Sequence, residues 1–227
     1  MAMDFYRILS DFAREKTIDY IQIGAMDGVR YDPMWPFLQK FPEAIGKADV
    51  FEPHPIHFQR LSQNLANFPQ IKCHNLAIGS PDCNPEQTLY YVHPIDIAMQ
   101  GLPQWVEGIS SFHLNKNALG GIGPHQTPEM HNLIKPYIRN RLVRAMPLKS
   151  AFDKFGIQGC DVLLTDTEGH DWEIVKQWDF QAFGNPTVIY SEVICLLESE
   201  KKEFLSWLEQ NGYDFEIQGQ NVIAKLS

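Results

Sequence analysis

The chain has 227 residues, 44% of them hydrophobic, which suits one sizeable domain, taken as 1–227, with its own core. Its 19 Lys and Arg against 28 Asp and Glu leave a formal net charge of −9, which repels a phosphate backbone and argues against a nucleic-acid partner. No apolar run approaches the roughly 20 residues of a membrane span, and Asp4 and Asp11 stand where a signal peptide would be apolar, so a soluble, cytoplasmic protein is expected.

Phe5, Ile8, Leu9 and Phe12 recur at helical spacing and predict an opening amphipathic helix. "TIDYIQIG" then reads as a buried strand ending at Gly24. "PMWPFLQKF" reads as a helix with Pro33 in its first turn, and "ADVFEP" as a second strand closed by Pro53. "PIHFQRLSQNLANF" places Ile56, Phe58, Leu61 and Leu65 on one helical face. "KCHNLAIG" reads as a third strand, and "QTLYYVH" alternates like an edge strand.

From His93 to about Arg141 the periodicity fails. The stretch holds glycines, prolines and four histidines, in "SSFHLNKN" and "GGIGPHQTP" among others. An irregular insertion of this length points to a mobile lid or binding loop, with His113, His125 and His131 as candidates to line it. Order returns with "RLVRAMPL" as a strand and a short helix near "SAFDKFG". "DVLLTD" and "TVIYSEV" read as strands flanking the helix "HDWEIVKQW". "ESEKKEFLSWLEQNG" reads as a helix stopped by Gly212, and "YDFEIQ" and "NVIAKL" as a terminal strand pair.

This alternation predicts an α/β, doubly wound, largely parallel sheet, whose ligands bind outside the carboxyl ends of the strands. The acids that interrupt apolar runs fall at those ends. "GAMDG" follows the first strand and offers Gly24 and Gly28 as GxxxG, one glycine short of the dinucleotide fingerprint. Asp27 in that loop would repel phosphate and favour a cation. Glu52 ends the second strand, where an acid commonly holds ribose hydroxyls. Together these residues describe a pocket for a positively charged nucleoside without phosphates, which S-adenosylmethionine fits. The missing third glycine disfavours an NAD(P) oxidoreductase. The four cysteines, Cys73, Cys83, Cys160 and Cys195, form no CxxC pair; Cys160 and Cys195 read as buried thiols, and the spacing does not support a structural zinc site.

"YIQIGAMDGVRYDP", "FEPHPIHFQRLSQNL", "NLAIGS", "SSFHLNKN", "DVLLTDTEGHDWEIV" and "PTVIYSEV" resemble, in this order, the motifs of the FkbM family of S-adenosylmethionine-dependent methyltransferases. The resemblance runs from about Asp19 to Tyr213. It implies a class I methyltransferase (Rossmann-like) fold with a seven-stranded sheet whose last strand is antiparallel. It also implies methyl transfer, usually to a hydroxyl of a sugar, polyketide, peptide or related metabolite, as in secondary metabolism. Carried over motif by motif, it places Gly24, Ala25, Asp27 and Gly28 at the methionine side of the cofactor. Glu52 and Pro53 fall at the ribose, and Asn75 to Ile78, Ala77 included, beside the adenine.

Methyl transfer is an in-line displacement that needs alignment and a place for the nucleophile's proton. Asp166, ending an otherwise apolar strand beside the predicted cofactor, is the leading candidate for both cofactor binding and catalysis. His170 and Glu192 are assigned as its assistants, and Glu168 is a further candidate. Asp171 reads as a complement to the dipole of the helix that follows. Asp166 and Glu192 could share a Mg²⁺, but no third ligand is assignable beside them, and the metal-free reading is preferred. The acceptor is expected to be a small molecule. An N-methyltransferase is the alternative enzyme, against which stands the absence of an Asn/Asp-Pro-Pro-Tyr/Phe motif; a nucleoside-binding module without catalysis is the alternative of another class.

Overall fold

The computed structural model describes residues 3–123 and 127–227. Asp4 caps helix α1 (Phe5–Phe12), its carboxylate accepting the Arg7 N–H at 3.0 Å. Strand β1 (Ile18–Ile23) is buried along nearly its whole length. Helix α2 (Trp35–Lys40) starts later than its prolines suggested, because the Asp32 carboxylate accepts the N–H groups of Met34 and Trp35 and sets the first turn there. Strand β2 (Ile45–Phe51), helix α3 (Pro55–Asn64) and strand β3 (Ile71–His74) follow.

"KCHNLAIG" is not one strand. The Asn75 side-chain amide donates to the carbonyls of Glu52 and Pro53, at 2.9 and 3.0 Å, and turns the chain out of the sheet. Beyond it β4 (Ala77–Gly79) joins a second, three-stranded sheet with β5 (Glu86–Val92) and β6 (Ile138–Pro147), in the order β4-β6-β5. "RLVRAMPL" is therefore the end of a longer strand outside the main sheet, and the insertion closes at 137 rather than 141.

Between β5 and β6 lie helices α4 (Pro94–Gln100) and α5 (Pro128–Ile134) with short 3-10 turns. Each is too short to show a helical period. They enclose a small core of their own, including Ile97, Val106, Leu119 and Ile134. The chain then runs through α6 (Leu148–Phe155), β7 (Val162–Thr165), α7 (Asp171–Val175), α8 (Phe180–Phe183), β8 (Val188–Glu192), α9 (Glu198–Gln210), β9 (Tyr213–Gln218) and β10 (Asn221–Leu226).

The main sheet has seven strands in the order β3-β2-β1-β7-β8-β10-β9, all parallel except β10, which runs antiparallel to both its neighbours. The alternation of side chains along β1 feeds two cores. Ile21 and Ile23 join Phe152, Trp172 and Phe204 on one face, and Ile18 and Tyr20 join Phe37 and Leu61 on the other. Among the described residues no helix is long and apolar enough to cross a membrane. The strand order reverses beside β1, so the chain leaves β1 and β2 on one side of the crevice and β7 and β8 on the other.

Candidate active site

The carboxyl ends of β1, β2, β7 and β8 open into one cavity of about 360 Å³. At the end of β1, Gly24 has φ +86°, and a side chain there would put its Cβ 1.9 Å from the Asp166 carbonyl oxygen. Only glycine lets the exits of β1 and β7 pass so closely. Gly28, at φ +70°, serves packing instead: an added Cβ would lie 2.6 Å from Leu61 Cδ1 on α3.

Asp27 does not face the cavity. Its carboxylate accepts the backbone N–H groups of Val29 and Arg30 and the Arg30 Nε–H at 2.6 Å. Burial pushes its pKa up, but the hydrogen bonds from Arg30 outweigh this and hold it below the usual carboxylate value. The Arg30 guanidinium continues to Glu107 at 2.8 Å, and Arg60 also pairs with Glu107, so this network joins the glycine loop, the insertion and α3. Of the expected cofactor residues, Gly24, Ala25, Glu52, Pro53, Ala77 and Asp166 line the cavity; Asp27, Gly28 and Asn75 support its walls from behind.

Glu52 is buried, with one carboxylate oxygen accepting the Met26 N–H at 2.8 Å and the other the His54 N–H at 2.7 Å. Burial raises its pKa to about 8. The two backbone donors fix the carboxylate's orientation and leave lone pairs free toward the cavity.

At the end of β7, Asp166 is exposed to the cavity, and among the described residues its carboxylate accepts no hydrogen bond. Enclosure by the protein raises its pKa, and the neighbouring carboxylates of Glu168 and Asp171 add to this. Asp171 is fully buried and accepts the N–H groups of Thr167 and Gly169, closing the turn into α7, at whose first position it stands. Glu168 has a left-handed backbone, φ 56°. The Ser111 hydroxyl donates to its carbonyl at 2.7 Å, and the Asn117 amide donates to its carboxylate at 2.9 Å.

His170 also lines the cavity. Its Nδ1 lies 3.2 Å from His113 Nε2, while its Nε2 is buried without a partner among the described residues. Burial, with His113 and Lys116 nearby, lowers its pKa to about 3, so the ring is neutral at ordinary pH. Glu192, at the end of β8, is 5% exposed, and its Oε2 has no hydrogen-bond partner among the described residues. Burial, then Glu168 and Asp166, raises its pKa.

Asp166, His170 and Glu192 all line this one cavity. Sequence reasoning missed Asp32 and the clamp formed by Ser111 and Asn117, and it read Cys195 as a buried thiol without placing it at the cavity. Polar "SSFHLNKN" was a signal, because it docks onto "DTEGH": Ser111 and Asn117 hold Glu168, His113 meets His170, and Lys116 donates to the Gly169 carbonyl at 3.2 Å. His131 packs against Gly121 away from the cavity, and His125 lies outside the described residues.

Residues 22–215 match the family model described as the Methyltransferase FkbM domain. Among solved structures, the chain is similar to the methyltransferase FkbM from Methylobacillus flagellatus KT, with a TM-score of 0.52 and 11% identity over 92% of this chain. It spans 43% of that longer chain. It is also similar to an O-methyltransferase from Bacillus cereus in complex with SAH, with a TM-score of 0.48 and 8% identity over 98% of this chain and 80% of that one. The precorrin-6y C5,15-methyltransferase from Geobacter metallireducens GS-15 aligns with a TM-score of 0.48 and 11% identity over 98% of this chain and 87% of that one. No curated protein matches the sequence.

Proposed function

The chain belongs to the FkbM family of S-adenosylmethionine-dependent methyltransferases, and from that premise we propose that it methylates a hydroxyl group of a small molecule. The observation that carries the reading is the ring of carboxylates around the cavity, Glu52, Asp166, Glu168 and Glu192, which has neither a lysine nor an arginine ion-paired to any member among the described residues. Such a ring favours a cation, and S-adenosylmethionine supplies its methyl group on a sulfonium. Glu52, already oriented by two backbone donors, accepts the ribose hydroxyls. Pro53 and Ala77 give the adenine an apolar wall, and Gly24 and Ala25 let the methionine portion approach the backbone.

Asp166 stands where the donor and acceptor halves meet, with its carboxylate free to orient the acceptor hydroxyl. As the oxygen attacks the methyl carbon in line with the departing sulfur, its proton passes to a carboxylate, Asp166 or Glu192. The sulfonium charge beside them favours the ionised form of both acids, the form that accepts a proton. His170, neutral and weakly basic, holds the acceptor through hydrogen bonding rather than taking the proton. The insertion, about 93–137, covers the cavity with Trp105, Ile109 and Phe112 and selects the acceptor as a lid. The same carboxylates repel a polyanionic acceptor. A second reading, methylation of an amine, draws on the same unpaired acids.

Calorimetric titration with S-adenosylhomocysteine tests the cofactor assignment. Glu52→Ala should weaken binding by about 1–3 kcal/mol through lost charge-assisted hydrogen bonds. Unchanged affinity in a folded variant rejects the assignment. Labelled-methyl transfer screened over hydroxylated and amine acceptors separates the two readings of the acceptor.

A further inference from the structure

We propose that Glu168, Glu192 and Cys195 form a site for a divalent metal ion of the zinc type, on the acceptor side of the cavity. One carboxylate oxygen of each glutamate and the Cys195 Sγ all lie within 4.8 Å of one another. Ligands about 2.0–2.3 Å from a tetrahedral Zn²⁺ stand roughly 3.3–3.8 Å apart, so a small inward movement closes the three around an ion. The Cys195 thiol already donates to Glu168 Oε2 at 3.5 Å.

A second observation is independent of this clustering. Glu192 is 5% exposed, yet its Oε2 has no hydrogen-bond partner among the described residues. A buried carboxylate oxygen without a donor is costly unless a cation meets it. The set differs from the Asp166 and Glu192 pair that the sequence suggested: Glu168 stands in place of Asp166, and Cys195 lies three residues beyond Glu192 on the turn that leaves β8.

The surroundings hold the ligands in place. Glu168 is kept in its left-handed conformation by Ser111 and Asn117. Asn117 is itself fully engaged, donating to the Ile109 carbonyl at 2.9 Å and accepting the Leu119 N–H at 3.0 Å. Partners of this kind orient metal ligands and set their affinity. At Gly169 an added Cβ would lie 2.9 Å from the Cys195 carbonyl oxygen, so glycine there lets the two ligand-bearing turns approach.

The ligand chemistry selects the ion. Mg²⁺ demands an octahedron of oxygens, whereas a thiolate with two carboxylates suits Zn²⁺ or Co²⁺. Three protein ligands leave a fourth position open to the cavity, as catalytic zinc sites do. An acceptor hydroxyl bound there would lose its proton more readily. That role rests on the methyl-transfer reading; the metal site itself does not.

The test uses the full chain, freed of metal by chelation and dialysis, with no cofactor added. It is titrated with ZnCl₂, MgCl₂ and CoCl₂. One equivalent of Zn²⁺ or Co²⁺ should bind, with Mg²⁺ at least about tenfold weaker. The cobalt form should show sulfur-to-metal charge-transfer absorption in the near ultraviolet, which Cys195→Ala abolishes. Glu192→Gln should weaken Zn²⁺ by about tenfold or more with an unchanged circular dichroism spectrum. Absence of stoichiometric binding, affinity unchanged in both variants, or equal Mg²⁺ affinity without the cobalt band overturns the proposal. So does saturable binding of a simple alkylammonium with no binding of Zn²⁺, which assigns the acids to an amine. If Cys195→Ala does not fold, the wild-type cobalt band and Glu192→Gln decide. S-adenosylhomocysteine titrated into the same samples keeps the two readings apart: cofactor binding without metal binding sinks only the metal site, and the converse sinks only the cofactor assignment.

Discussion

Carboxylates of one chemical type take different parts in this cavity, and their hydrogen bonds separate them. Asp27 and Asp171 spend their oxygens on donors of their own loops, backbone N–H groups and, for Asp27, the Arg30 guanidinium as well, and act as structure. Glu52 is half committed, fixed by two backbone donors but with lone pairs to spare. Asp166 makes no such bond among the described residues and faces the cavity among other acids. Asp166→Asn should therefore reduce methyl transfer by roughly 100-fold or more, the scale of a lost proton acceptor. Its melting temperature should stay level or rise, because one of several repelling charges is gone. A variant that retains full turnover leaves Asp166 as a feature of the strand end. His170, by contrast, stays neutral, and no inflection of the pH–rate profile should belong to it in the neutral range; a histidine ring titration followed by NMR checks this.

At the scale of elements, the exits of β1 and β7 are pressed together at Gly24. Gly24→Ala combines a positive φ with a Cβ 1.9 Å from the Asp166 carbonyl oxygen, and should destabilise the protein by about 2–4 kcal/mol. Gly156 is the control. It ends α6 at φ +70° with nothing within 4 Å of the added Cβ, so Gly156→Ala should cost only about 1–2 kcal/mol in thermal or denaturant unfolding. Equal costs would remove the steric argument. The insertion is an element of a different kind. It carries a small core of its own, and Ser111, His113, Lys116 and Asn117 hold it to the turn before α7. Asn117→Ala should accelerate amide hydrogen exchange both in the insertion and in residues 166–171, and cofactor with acceptor should slow it again. Faster exchange in the insertion alone would show that the two segments open independently.

For the whole molecule, burial of like charge makes stability depend on pH in a definite direction. Glu52 has a folded pKa of about 8, above its ordinary value, and Asp166, Glu168 and Glu192 are raised as well. The folded state therefore holds these protons more tightly than the unfolded chain, and stability is lost as pH rises toward about 8. Burial lowers His54, His57 and His170 to about 3, 4 and 3, which removes stability as pH falls below the ordinary histidine range. Above that range only the acids act, so the melting temperature of the cofactor-free protein should decline from pH about 6.5 to about 8. Glu52→Gln should flatten the decline, and S-adenosylmethionine, a cation among the acids, should oppose it. A flat curve in the wild type would show that the acids are solvated. What the sequence by itself determined was the alternation of strands and helices and the acids at the strand ends. Side-chain period and position along a strand are local properties, as "DVLLTD" and "TVIYSEV" show. The FkbM motifs were legible for the same reason. Only the tertiary structure decided that Asp27 turns away to Arg30 while Glu52 faces the cavity. It alone split "KCHNLAIG" between two sheets and brought Cys195 beside Glu168. Those outcomes depend on partners far apart in the chain, such as Asn117 and Glu168, 51 residues apart. Desolvation and hydrogen bonding act on neighbours in space, which no local pattern of residue types records.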